Sequence, residues 1–350
     1  MSFRSITARN RVMMSPMCQY SSDGGLANTW HLAHLGARAV GGAGIVCVEA
    51  THVEERGRIT HHCMGLWNDA QRDSLAPIAA FIQAQGAVPA IQLAHSGRKG
   101  SVQRPWQGSA PLGREEGAWQ TIAPSPIPFT EAHGVPAEMS RADIAEVIEA
   151  FAGSARRALE AGFKIVELHA AHGYLGHSFL SPLSNRRRDA YGGSLENRIR
   201  FLMETLDAVR GVWPEELPLF VRLTCDDWVE GGFGLDQAVA TARLLRARGD
   251  VDLIDCSSGG LDPRQQIKAY PGYQVHFSAR IRHEVGIATG AVGLLNAPEL
   301  SEAVLASGCA DLALIGRGLL SDPHWVLKAA QTLKAADVAW PPQYDRAKNL

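Results

Sequence analysis

The segment Glu167–Pro182 reads ELHAAHGYLGHSFLSP and sets His169, His172 and Tyr174 within six residues, directly after the apolar run Lys164–Leu168. Neutral imidazoles donate hydrogen bonds and a phenol is a weak acid. Together they can stabilise negative charge growing on an oxygen and then deliver a proton. The two histidines could instead ligate a metal with Glu167 as third ligand, but no further ligand cluster accompanies them, and metal is the weaker reading. Other apolar runs also end in chemistry: SPMCQY (15–20), QLAHSGRK (92–99), VRLT (221–224), GAVGLL (290–295) and IGRGLL (315–320). Gly290, Gly293, Gly316 and Gly318 let backbone approach a ligand closely, and Arg317 adds a positive charge. That combination suits a phosphate, the alternative being tight turns beside a surface arginine.

These groups need a scaffold that brings run ends together. Eight short, unalternated, β-rich runs occupy 11–17, 44–50, 88–94, 164–169, 218–224, 251–257, 287–292 and 311–316. Such runs fit strands of a parallel sheet buried on both faces. Amphipathic segments separate them at 29–40, 70–85, 141–161, 195–212, 236–248, 274–284, 298–306 and 323–334. Strict alternation argues for an α/β fold of the closed (β/α)8 type, a TIM barrel. A doubly wound sheet is the rival, yet neither GxGxxG nor GxxxxGK occurs. In a barrel all strand ends surround one opening. Strand alternation turns Ile165, Glu167 and His169 inward and Val166 and Leu168 towards the helices. Residues 95–139, rich in Gly, Pro and Ser, interrupt the rhythm after the third strand and read as a lid over the pocket.

Composition narrows the function classes. The chain has 350 residues, 46% hydrophobic and 20% charged, as expected of a globular protein with a full core. A net charge of −2 and a pI near 6.7, with scattered Lys and Arg, give no footprint for nucleic acid or an anionic membrane. No apolar run approaches a membrane span, and the first twenty residues lack a signal-peptide core. Cys18, Cys47, Cys63, Cys225, Cys256 and Cys309 form no CxxC pair, so a reducing, cytoplasmic setting is expected.

SPMCQYSSDG, QLAHSGRK, HAAHGYL with SPLSNRRRDAYGGSLENRIRFL, DLIDCSSG, ATGAVGLL and LIGRGLLSDPHW occur in this order along nearly the whole chain. Together they resemble the Old Yellow Enzyme family of FMN-dependent ene-reductases, in its thermophilic-like branch of YqjM and xenobiotic reductase A type. His172 and Cys18 carry the branch assignment, because classical members have asparagine and threonine there. The resemblance implies one FMN-binding barrel domain over 1–350 and NADPH or NADH as co-substrate. Hydride would pass from reduced FMN N5 to Cβ of an activated C=C bond, in an enone, nitroalkene or quinone, and a proton from Tyr174 to Cα. It further implies that Ser15, Pro16, Met17, Cys18 and Ala50 line the flavin, Gln92 bonds its pyrimidine edge, and Arg222 sits near N1 and the C2 carbonyl. Gly293, Gly316 and Arg317 would hold the phosphate. His169 and His172 would receive the substrate oxygen, with Tyr20 beside them and Cys18 tuning the redox potential. In that branch a QYxR tail enters a neighbouring subunit's site. Gln343, Tyr344 and Arg346 match it, which implies a homodimer or dimer of dimers, although the tail alone reads as solvated residues.

Several residues have simpler readings. Cys47 and Cys256 read as core, His177 as an ordinary loop residue, Arg186–Arg188 as solvated scaffold and Ser194 as a helix cap. Glu167 is expected to pair with Arg222. His31, His34, His61 and His62 have no evident partner. Members of the resembled family begin with a longer leading segment that helps close the barrel floor, so the start MSFRSITARNR puts stability, and not catalysis, in doubt. Rival activities are a xenobiotic or nitro-ester reductase and a flavin dienoyl-CoA reductase, the latter lacking here its iron–sulfur cysteines. A dihydrouridine synthase lacks its basic face. A phosphate-sugar isomerase or aldolase would have only Lys99 for its lysine, and a non-catalytic ligand-binding barrel leaves the donor–donor–acid set unexplained.

Overall fold

In the computed structural model, which describes residues 1–335 and 338–348, eight parallel strands close a barrel in chain order. The strands are β1 (Val12–Met14), β2 (Ile45–His52), β3 (Val88–Ala94), β4 (Ile165–Ala170), β5 (Leu219–Thr224), β6 (Leu253–Ser257), β7 (Ala288–Ala291) and β8 (Leu312–Ile315). Outside them run α1 (Thr29–Val40), α2 (Asp69–Ala84), α3 (Arg141–Glu160), α4 (Arg200–Arg210), α5 (Leu235–Arg248), α6 (Val275–Val285), α7 (Pro298–Ala306) and α8 (Trp325–Thr332). Every residue of β3, β4 and β5 is buried. Their outer faces meet helices and their inner faces fill the barrel, which is why the runs do not alternate with polar residues.

The starts of α1, α2 and α3 are set by Asn28, Asn68 and Ser140, whose side chains accept from backbone amides of the first turn. Two expected helices differ. The segment 195–212 is interrupted at Ile199, giving Leu195–Arg198 and then α4. The segment 323–334 begins helically only at Trp325, because Asp322 Oδ1 accepts from His324 N and holds a turn there.

The interior is layered. Its floor is apolar: Met13, Ile45, Cys47, Val88, Ala90, Ile165, Phe220, Leu253, Leu312 and Leu314 form one buried cluster with Phe3 and Ala8. The leading segment itself reaches this floor. Ser2–Phe3 and Ile6–Thr7 pair as a hairpin, and the Phe3 ring meets Phe220 edge-on, centroids 5.0 Å apart. Truncating Phe220 to Ala would cost about 3–5 kcal/mol in such a packed place. The next interior layer is polar, with Gln92, Glu167, Arg222 and Asp255 on four adjacent strands.

One irregularity serves the mouth. The pairing of β2 with β3 shifts register between Val48 and Ala50, which leaves Glu49 as the extra residue of a bulge. Ala50 then stands opposite Gln92, while Glu49 Oε2 accepts from Gln19 N at 2.8 Å and Oε1 lies 3.5 Å from His31 Nε2. The segment after β1 is thereby tied to α1.

Residues 95–139 form three short 3-10 turns and a two-residue parallel ladder, Ile122–Ala123 with Ala137–Glu138. This segment is bound down along its length. Arg98 donates to the carbonyls of Ile127, Pro128 and Leu261, and Trp119 Nε1 to Arg56 O. Arg187 donates to Pro124 O and Met139 O, with only 7% of its side chain exposed. Arg187 is therefore a tether and not solvated scaffold, whereas Arg186 and Arg188 are exposed.

Candidate active site

The polar layer and the strand ends above it make a mouth at the C-terminal side of the barrel. His169 ends the inward-facing row of β4, opposite Arg222 of β5. A tight turn follows, in which His172 takes φ 59° and Gly173 φ 76°. A Cβ on Gly173 would collide with the carbonyl of Gly260, so this position requires glycine. The turn folds the second histidine and the tyrosine back on the first. Ring centroids of His169 and His172 are 5.1 Å apart, and those of His169 and Tyr174 are 5.2 Å apart.

The protons on these rings are determined by their partners. Ala171 N donates to His169 Nδ1 at 3.2 Å, so the His169 proton sits on Nε2. That nitrogen lies 3.3 Å from His172 Nδ1, and His172 Nε2 lies 2.7 Å from Ser257 Oγ. A consistent chain runs from Ala171 through both rings to Ser257, each imidazole neutral. Burial, and then the Arg222 charge, push both histidines well below the usual range. Burial first, then Cys18 and Cys63, push the Tyr174 phenol well up, so it keeps its proton.

Beneath them Gln92 Nε2 donates to Glu167 Oε1 at 2.8 Å, and Arg222 Nε lies 3.0 Å from Asp255 Oδ2. The expected Glu167–Arg222 ion pair is thus corrected. Asp255, in register with Arg222, is the partner. Burial, reinforced by Asp255, raises Glu167 to about 8, and burial also raises Asp255, to about 6 against the pull of Arg222, so near neutrality Glu167 holds a proton and Asp255 is the ionised member. The 3.0 Å ion pair is poorly aligned for hydrogen bonding. Arg222 Nε, both Asp255 oxygens and Glu167 Oε2 are buried without a directed partner.

A cavity of about 280 Å³ runs from His172, Arg222 and Ser257 to Tyr273, Gly293, Gly316 and Arg317. Gly293 has φ 130°, and a Cβ there would crowd Gln274 N at 3.2 Å. Ser15 and Met17 flank Gly316, and Arg222 Nη1 donates to Ser15 Oγ at 3.3 Å. Pro16 lies between them in sequence. On the other side Cys18, Tyr20 and Tyr174 pack against Ile59, Cys63 and Val102. Burial, then Glu49, raise the Cys18 thiol well up, so it is not a thiolate. Ala50 faces Gln92 at the bulge.

The structure therefore gathers the sequence-derived site residues around one mouth, with Arg346 apart: it lies in the exposed 3-10 segment Pro342–Ala347, where Tyr344 meets the His324 ring at 5.4 Å. Sequence reasoning missed Asp255, Ser257, Lys99 and His177. Asp255 and Ser257 could have been found, since they alternate with Leu253 on the inward row of β6. Lys99, beyond its aldolase reading, donates to His172 O at 2.8 Å and to Gly260 O at 2.6 Å. His177 is no ordinary loop residue but a fully buried part of the helix Leu175–Leu180. His31 caps α1, and His61 and His62 meet backbone carbonyls. Among the described residues no group of three or more His, Cys, Asp or Glu could hold a metal, and no helix is long and apolar enough to cross a membrane.

The whole barrel, from floor hairpin to α8, falls within residues 1–336, and these match the model of the NADH:flavin oxidoreductase / NADH oxidase family. The chain belongs to that FMN family. It is 46% identical over 345 residues to an NADPH dehydrogenase of Geobacillus thermodenitrificans, covering 98% of this chain and 96% of that one. Its fold matches morphinone reductase with a TM-score of 0.77 at 26% identity, over 97% of this chain and 90% of that one. An old yellow enzyme homologue from Zymomonas mobilis gives the same TM-score and identity, over 96% and 92%. For this flavin oxidoreductase the residues present fit FMN. Undirected buried polar atoms at Arg222, Asp255 and Glu167 lie next to a cavity whose far end carries Gly293, Gly316 and Arg317.

Proposed function

We propose that this enzyme is an NADPH-dependent ene-reductase acting on activated C=C bonds of α,β-unsaturated carbonyl and nitro compounds, with FMN as cofactor. The observation that carries the reading is the convergence of His169, His172 and Tyr174, all neutral, above Arg222 and beside one cavity. FMN, when bound and reduced, supplies the hydride for Cβ. Gln92 and Arg222 would hold its pyrimidine edge, Ser15, Pro16, Met17, Cys18 and Ala50 would line its ring, and Gly293, Gly316 and Arg317 would hold its phosphate. With substrate bound, the Nε2–H groups of His169 and His172 would exchange their contacts with His172 Nδ1 and Ser257 Oγ for the substrate oxygen and stabilise the enolate charge. Tyr174, whose phenol stays protonated in its buried setting, gives its proton to Cα. Tyr20 borders the substrate.

The tail completes the reading. Arg346 is exposed and, among the described residues, forms no ion pair within its own chain. In a two-fold dimer it enters the other subunit's mouth and presents a planar set of donors there.

Anaerobic stopped-flow measurement tests the reading. Purified protein should carry FMN that NADPH reduces and that cyclohexenone or a nitroalkene reoxidises, with the saturated product recovered. Reduced enzyme that is reoxidised by oxygen but by no enone, nitroalkene or quinone would overturn it.

A further inference from the structure

Behind the turn His172–Gly173–Tyr174 lies a polar cluster that none of the roles above uses. His177 and Asp227 are both fully buried, on the segments that follow β4 and β5. Gly173 N donates to His177 Nδ1 at 2.8 Å, and His177 Nε2 lies 2.6 Å from Asp227 Oδ1. The carboxylate also accepts from Ser181 Oγ at 2.6 Å and Phe233 N at 2.7 Å, both on Oδ2. These contacts permit one arrangement of protons. An amide N–H aimed at Nδ1 requires that nitrogen bare, so the ring is neutral with its proton on Nε2, donated to Asp227.

The amide held in this way is the link between the second oxyanion donor and the acid. Its neighbours are fixed as well. Lys99 Nζ donates to His172 O, Ser178 Oγ to Gly173 O at 3.1 Å, and Ser178 N to Tyr174 O at 2.8 Å. His172 has positive φ, which a residue with a side chain adopts only when its surroundings impose it. The imidazole is the part of this cradle that depends on a tautomer.

We propose that His177 and Asp227 are positioning residues of the active site. Asp227 keeps His177 in its Nε2–H form, and the bare Nδ1 fixes the Gly173 amide and so aims His172 and Tyr174 at the substrate. Neither residue touches substrate or cofactor. The proposal rests on the ene-reductase reading for its kinetic consequence, but its geometric content stands apart from it.

Three variants and one spectrum test it in the full-length flavoprotein. His177→Leu keeps the volume and removes the acceptor. His177→Asn puts an amide oxygen where Nδ1 stood and serves as the rescue. Asp227→Asn turns a donor towards Nε2, which favours a proton on Nδ1 and opposes the Gly173 amide. Per bound FMN, His177→Leu and Asp227→Asn should slow reoxidation by cyclohexenone about 10–100-fold, the scale of misplaced reacting groups, while reduction by NADPH stays within about threefold. His177→Asn should remain within about threefold in both steps. A merely structural role would lower FMN content and leave the rate per bound FMN unchanged in every variant, and that result overturns the proposal. In 15N-histidine spectra of the wild-type holoprotein, the signal assigned by its loss in His177→Asn should show bare Nδ1 and protonated Nε2. The opposite tautomer, or a doubly protonated ring at pH 7, overturns the proposal even if a variant fails to fold. A wild-type enzyme inert towards every enone would instead overturn the activity reading, and the spectrum would still decide this one.

Discussion

Arg222 and Asp255 face each other in register on adjacent strands, guanidinium Nε 3.0 Å from carboxylate Oδ2, with protonated Glu167 in the same layer. One cation and one anion thus share the buried ground beneath the proposed flavin. Asp255→Asn removes the anion, and a more positive layer favours the anionic reduced flavin. The FMN potential should rise. In the single variant Glu167 loses the neighbour that raises it and can release its proton, which offsets part of the change. The double variant Asp255→Asn with Glu167→Gln cannot do this, and its potential should lie on the order of 30 mV above wild type, about tenfold in the two-electron equilibrium. Dye-equilibrated reduction of the two variants measures the difference.

Glu167 also makes stability depend on pH. Its carboxyl is raised from 4.5 to about 8 by burial and by Asp255, so the folded chain holds a proton that the unfolded chain releases across that window. Stability of the apoprotein should therefore fall as pH rises from about 4.5 to about 8. Glu167→Gln is neutral throughout. It should match wild type at pH 5 and melt roughly 2–4 °C higher at pH 9, as thermal unfolding of the two apoproteins will show.

Alanine at His169 or His172 removes one of the two proposed oxyanion donors. Reoxidation by an enone should slow by about 10²-fold or more, and phenols should bind more weakly. FMN content and reduction by NADPH should suffer less. A double variant with full turnover would contradict the oxyanion assignment.

Tyr174→Phe tests the acid. The proton is needed only after hydride transfer, so enone reduction should slow at least tenfold while flavin reduction is nearly intact. Single-turnover traces separate the two steps, and an unchanged enone rate would assign the proton to another donor.

Deleting residues 343–350 removes Arg346 with its flanking tail. The substrate KM should rise about tenfold while FMN stays bound. Sedimentation of the intact enzyme should show a dimer or a multiple of it. A fully active monomer would refute a shared mouth.

The barrel was legible because parallel strands buried on both faces leave unbroken apolar runs, and β3 coincides with its run residue for residue. His169 was legible for the same reason, since parity along β4 decides which side chains face inward. The rest depended on contacts between distant segments. No local pattern tells that Arg222 pairs with Asp255 across a strand gap, nor that Lys99 reaches the carbonyls of His172 and Gly260. The bulge at Glu49 is invisible for another reason: one extra residue in an apolar run changes neither its composition nor its length by a readable amount. The floor hairpin was missed because two-residue strands are shorter than any period.

The tethers of residues 95–139 bear on timing. A flap must open and close once per cycle, but hydrogen bonds of Arg98, Trp119 and Arg187 with backbone carbonyls hold this segment to the loops that follow β6, β2 and β4. With the segment tethered in this way, traffic through the mouth would be governed by occupancy more than by hinge motion. On the ene-reductase reading proposed above, NADPH and the oxidising substrate would use one entrance in turn and exclude each other, so turnover would become a queue with a single door. Such a queue gives parallel lines when reciprocal rate is plotted against reciprocal NADPH at several oxidant concentrations, and at high concentration each substrate inhibits by occupying the place of the other.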